Sequence, residues 1–377
     1  MDNTLTSLDL RNGNNQNFGS NWGPGISGGL SSVNNPNLNC ISVDDPIWAA
    51  ANWTVGTYYN IDAHTSFSDD CANFNLATAW TGAVDTNWNN AGNWSAGIPD
   101  STDDIIISGG GNNPVINQIG AACKNLTISS GGSVTISDAS YSINIDTLTI
   151  ENGGQVTITS GDVYTNNVIH SGDLNISGGN LDIDENYTAS GNVNANISGG
   201  TIKVEGNWTS SGSGFDPTGG TVEFSGNVAQ TISLASGNNF YDLKINNSHA
   251  SDKVSAQGSA LVVSNHLNIA DGIFESASDY HDVTIATGSS LQLTGDITVS
   301  GNWTNNGTFT PGTHKVSFDG NSLQTVSGNN TFYRLKINKI SGEVSISGAI
   351  AVSNNLTLSG GLINLNTNTL DFYSVTN

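Results

Sequence analysis

From Lys124 onward, apolar residues fall on every second position within short runs, as in Leu126/Ile128, Val134/Ile136, Leu148/Ile150 and Val156/Ile158. Alternation sends one face of each strand inward and the other outward. The runs are separated by Gly-Gly, Ser-Gly and Asn-Gly pairs, which accept the backbone of tight turns. The pattern predicts many short strands joined by turns.

The pattern also repeats. NLTISSGGSVTIS at 125–137 returns as TLTIENGGQVTIT, 22 residues later. NISGGNLDIDENYTASG at 175–191 returns as NISGGTIKVEGNWTSSG, 21 residues later. A longer period, near 90 residues, carries GNWTSSGSGFDPTGGTVEFSG at 206–226 onto GNWTNNGTFTPGTHKVSFDG at 301–320. Within that period Gln230-Thr231-Ile232-Ser233 maps onto Gln324-Thr325-Val326-Ser327, and Phe240–Asn246 maps onto Phe332–Asn338. A unit of one short period cannot bury its own apolar face, but stacked on a copy of itself it builds a continuous core. The expectation is an all-β, right-handed parallel β-helix (β-solenoid) of roughly 12 coils, each adding about 4.8 Å. A tandem β-sandwich has no reason to repeat at single-coil length.

Two other segments precede the solenoid. Residues 1–72 contain Leu5, Leu8 and Leu10 followed by Asn12 and Asn14, then NNPNLNCISVDD at 34–45, Trp53 and NIDAHTSFSDDC at 60–71. This resembles the terminal repeat of bacterial surface leucine-rich-repeat proteins, apart from the Gly-rich stretch Ser20–Gly29. The resemblance implies a capping unit, a disulfide between Cys40 and Cys71, and export. Cys123 is expected to be a small buried residue. Residues 76–123 hold Trp80, Trp88 and Trp94 among Gly82, Gly92, Gly97 and Pro99. They resemble a Trp-rich module that precedes solenoid repeats in secreted bacterial proteins. Its rings could cover the solenoid mouth, where open edges need protection, or contact carbohydrate by stacking. Residues 124–377 resemble the tandem GNWT/QTISG repeats of large adhesin-like proteins. That implies an extracellular or bacterial cell-surface location, a structural or adhesive role and no catalysis.

Charge narrows the partners. The chain carries 9 basic and 32 acidic residues, a net charge of −23. Nucleic acid needs a basic face, and so does an anionic membrane surface. No run of 18 apolar residues occurs, so no membrane insertion is expected. The expected partner is a host or environmental surface, glycan or protein.

Candidate chemistry is sparse. Asp182, Asp184 and Glu185 lie one period from Lys203 and Glu205, the best grouping for carboxylate catalysis, though a solvated acidic patch reads as well. Asp44-Asp45, Asp69-Asp70 and Asp103-Asp104 are candidate calcium ligands, with no EF-hand loop or nonapeptide repeat to support them; no cofactor is expected beyond possible structural calcium. The six histidines read as surface or turn residues. Thr127/Thr149, Thr135/Thr157 and Ser137/Thr159 form columns resembling an ice-binding face, each expected to last two coils.

Overall fold

In the computed structural model the chain divides into two compact units, Met1–Ala77 and Thr78–Asn377. The structure describes residues 78–249, 251–258 and 261–376, and in the first unit residues 5, 7–11, 13, 32, 35, 38, 40–46, 48–49, 53, 61, 65–68 and 71.

The first unit holds three short parallel strands, Leu8–Asp9, Cys40–Ser42 and Ser66–Ser68. Leu8 pairs with Ile41 and Ile41 with Phe67. Leu38, Ile41, Val43, Ala49, Trp53 and Ile61 form a separate buried cluster beneath them. Cys40 and Cys71 form a disulfide with Cα atoms 5.7 Å apart. The two cysteines are 31 residues apart in sequence, and closing a loop of that length stabilises a small unit by roughly 3–4 kcal/mol. The stretch Ser20–Gly29 and the pair Asp69-Asp70 lie outside the described residues.

The second unit is a parallel β-solenoid of about 13 turns with almost no helix. Each strand pairs in parallel with its counterpart one coil later, as the alternation requires. One inward column runs Thr78, Ile105, Leu126, Leu148, Val168, Tyr187, Trp208 and Ile232 through successive coils. A second runs Trp80, Ile107, Ile128, Ile150, His170, Ala189 and Ser210. These columns fill the lumen as one apolar cluster extending to Leu356. The Ser-Gly-Gly turns follow from stacking. Gly179, Gly200 and Gly220 all have φ near +73°. A Cβ there would meet a carbonyl oxygen of the coil below at 2.1, 2.5 and 2.8 Å.

The long repeat is an interior repeat. Trp208, Phe224 and Phe240 are fully buried, as are their counterparts Trp303, Phe318 and Phe332. Gln230 is buried too; its Nε2 donates to the carbonyls of Val204 and Gly206, and its Oε1 accepts from the Gly226 amide. Gln324 makes the same bonds with Val299, Gly301 and Gly320. The repeated Gln of the QT(I/V)S motif thus satisfies backbone groups at a coil corner, where an unpaired carbonyl would cost about 1–3 kcal/mol.

Candidate functional site

The Trp-rich module was the first candidate. Its three rings are buried: Trp80 is 5% exposed, Trp88 2% and Trp94 5%. Trp94 sits edge-on to both others, with ring centroids at 4.8 and 4.9 Å. The Trp94 indole donates to the Trp88 carbonyl and the Trp80 indole to the Asn112 carbonyl. Buried Asn93 ties the loop together, accepting from the amides of Val84 and Asp85 and donating to Asp85 Oδ1 and the Asn87 carbonyl. Because Trp80 heads an inward column, the module continues the lumen. Its rings have no open face on which a sugar could stack.

The acidic grouping is real and already neutralised in part. Carboxylate oxygens of Asp182, Asp184 and Glu205 lie within 4.8 Å of one another. Lys203 Nζ sits among them, 3.2 Å from Asp182 and 2.8 Å from Glu205. Burial, then the charges of Glu205 and Asp182, push the Asp184 carboxyl up from its ordinary value. Register explains the arrangement: Asp182, Lys203, Glu223 and Lys244 occupy one outward column in successive coils. It is an alternating charge ladder, with Lys244 Nζ 3.1 Å from Glu223. Asp296 likewise holds both Lys315 and Arg334.

The other carboxylate pairs act as local acceptors. Asp45 Oδ1 accepts from the Trp48 amide, Asp103 Oδ2 from the Asp100 amide, and Asp104 Oδ1 from Asn125 Nδ2. Among the described residues, Asp44, Asp45, Asp103 and Asp104 do not join a grouping of three metal-ligating side chains. Cys123 is buried, and burial raises its thiol to about 12, which keeps it from being a thiolate nucleophile.

One histidine keeps the expected surface role with a partner, and another departs from it. His281 Nδ1 lies 2.9 Å from Ser300 Oγ on the solenoid exterior, beside Asp279 and Asp319 in a pocket of about 220 Å³. That pair joins residues 19 apart, a coil length, which is the signal that could have found it. Among the described residues no carboxylate is hydrogen-bonded to this imidazole, so it lacks the orienting group of a hydrolytic triad.

His170, expected on the surface, is wholly buried in the lumen. It occupies the slot of Ile150 and Ala189 in neighbouring coils. Its Nε2 faces the Gly172 carbonyl and its Nδ1 faces the Tyr187 hydroxyl, so the neutral Nε2–H form satisfies both. Burial lowers its pKa from 6.5 to about 4. The neutral form is therefore favoured by folding, and the unfolded chain binds the extra proton between those values. Stability should fall as pH drops from 6.5 toward 4, by up to about 3 kcal/mol from this residue. Melting curves across that window should show a smaller decline for His170→Gln than for the natural chain. Parallel declines would refute the assignment.

An outward polar face remains. Thr127 and Thr149 were expected to form a two-coil column, but the register continues it through Ile169, Thr188, Thr209 and Ser233. Asn125, Thr147, Asn167 and Asn186 form a parallel column two residues away. The substitution pattern hid this continuity, because Asn and Thr alternate at one position and Ile169 interrupts the other. Short column length therefore no longer argues against an ice-binding face, although Ile169 breaks the regularity of the hydroxyls.

A family model described as a domain of unknown function (DUF8693) matches residues 79–189, less than a third of the chain. The matched span takes in the Trp-rich module and the coils through Tyr187. No curated protein and no solved structure matches the chain.

Proposed function

We propose that this chain is a structural or adhesive segment of a secreted or cell-surface bacterial protein and performs no catalysis. The observation that carries the reading is where the long repeat is spent. Its large and buried repeated residues, Trp208/Trp303, Gln230/Gln324 and Phe240/Phe332, are interior, so duplication preserved the lumen that extends a rod. Its basic side chains are used in the same way. Seven of the nine hold a carboxylate, carbonyl or amide oxygen nearby.

Export fits the Cys40–Cys71 disulfide, since disulfides persist in oxidising compartments. No helix among the described residues is long and apolar enough to cross a membrane. The three parallel strands of the first unit are compatible with the end of a leucine-rich-repeat stack, which supports the reading drawn from its motif.

Beads coated with the protein should be retained under flow on glycan- or matrix-protein-coated surfaces, and the protein should release no reducing ends from soluble polysaccharides. Polysaccharide cleavage abolished by Asp184→Asn would overturn the non-catalytic reading. Beads no better retained than albumin-coated ones would overturn the adhesive one.

A further inference from the structure

We infer that the outward Asn/Thr face between Thr147 and Thr231 is a binding groove for an extended, neutral polysaccharide. This assignment rests on the adhesive reading and names the partner that reading leaves open. The groove has a volume of about 510 Å³. It runs along the solenoid axis across five successive coils, from Thr147 through Asn167, Asn186 and Asn207 to Thr231. At about 4.8 Å per coil it is about 20 Å long.

Three features select the ligand. The first is charge. No ionisable side chain lines the groove, and only Glu185, which accepts from Asn167 Nδ2, borders it among the hydrogen-bond partners of its asparagines, although the chain carries 32 carboxylates and an acid–lysine ladder on another outward column. An anionic polymer would be repelled by the surrounding negative charge, and a cationic one would gain more on the acidic ladder. A neutral polymer is the class for which an uncharged groove is best suited.

The second feature is hydrogen-bonding capacity. Asn167, Asn186 and Asn207 direct their carbonyl oxygens along the axis. Asn167 Oδ1 accepts from the Asn186 amide, Asn186 Oδ1 from the Asn207 amide, and Asn207 Oδ1 from the amide and hydroxyl of Thr231. These bonds fix the side chains in a row, so little rotamer freedom is lost when a ligand arrives. Beside them, the hydroxyls of Thr147, Thr188 and Thr209 have no hydrogen-bond partner among the described residues. Each can donate and accept, the pairing that sugar hydroxyls require.

The third feature is Ile169. It is 45% exposed, in the middle of the groove, at a position where the adjoining coils place Thr149 and Thr188. An exposed isoleucine flanked by hydroxyls offers an apolar step against which the C–H face of a sugar ring can pack. The straight, coil-by-coil advance of the groove favours a ribbon-like chain over a helical one.

The test uses the full chain with microcrystalline cellulose and chitin as neutral probes, and alginate beads as the anionic control. The natural protein should be depleted from solution by cellulose, chitin or both, and not by alginate. Thr188→Glu/Thr209→Glu places two carboxylates on exposed positions without touching the lumen. It should keep the natural melting temperature and lose at least tenfold in depletion. The proposal falls if neither neutral probe retains the protein, if the double variant is retained equally, or if alginate captures as much.

Running the same two proteins in the flow-adhesion assay separates the two claims. Retained beads together with failed depletion would sink the groove and leave the adhesive role. Depletion that depends on Thr188 and Thr209, without bead retention, would support the groove and sink the adhesive role.

Discussion

Trp88→Ala should lower the stability of the solenoid's N-terminal coils by about 3–5 kcal/mol. The ring is 2% exposed and stands edge-on to Trp94, which in turn meets Trp80 at the head of an inward column. Truncation leaves a cavity at the place where the lumen closes. It also loosens the Trp88 carbonyl that accepts from the Trp94 indole. The strand Thr78–Trp80 then becomes a weakly held edge and a template for pairing with another chain. The expected result is an early thermal transition with aggregation, accompanied by increased amide exchange in Ile105–Ile107 and little change in the coils beyond Trp303. A melting temperature equal to that of the natural chain would show that the cap is dispensable. Binding of the protein to cellulose should be unaffected until the coils melt, because the rings have no exposed face to lose.

Lys339→Ala should be strongly destabilising, at about 3 kcal/mol or more. Lys339 is only 3% exposed. Its Nζ donates to the carbonyls of Gly320 and Ser322 and to Gln324 Oε1. Burial holds its pKa below the usual lysine value, and Asp319 works in the other direction. The first long repeat solves the same problem without charge. There Asn247 Nδ2 donates to the Val228 carbonyl and Gln230 Oε1. Lys339→Asn should therefore recover part of the stability that Lys339→Ala loses. Urea unfolding of the three proteins checks the order: natural chain first, Asn next, Ala last. An alanine variant as stable as the natural chain would mean that the carbonyls find other donors.

The sequence made the architecture legible and the lumen's polar content illegible, for one physical reason. A coil stacked on itself must present apolar residues at fixed intervals. Leu126, Leu148 and their successors therefore announce both the strand parity and the stacking period. Polar residues at inward slots break that parity and read as surface. His170 stands in the slot of Ile150 but looks like a turn residue, and Lys339 looks like solvent-facing charge. Both are recoverable by aligning coils. Asn167-Val168-Ile169-His170 lies on Thr147-Leu148-Thr149-Ile150, and Lys339 follows the same Leu-Lys-Ile-Asn that precedes Asn247. The outward Asn/Thr face was hidden differently. Its members share a position but not an identity, so like residues recur over two coils where the register continues across six. The buried Trp module lay between these cases. Its spacing suggested either a cap or an aromatic platform, and only the packing of Trp80 onto the column of Ile107 separates them.

The interior character of the long repeat bears on how such a gene can change length. Trp208 opens its unit stacked on Tyr187, with ring centroids 3.7 Å apart, and Trp303 opens the next paired with Val283. The floor beneath each unit thus differs while the residues that begin it stay the same. A unit that tolerates two different floors can be added or removed without creating a junction that must be solved afresh. Chains related to this one should then differ in length by whole long repeats, and the length of the solenoid would be set by their number.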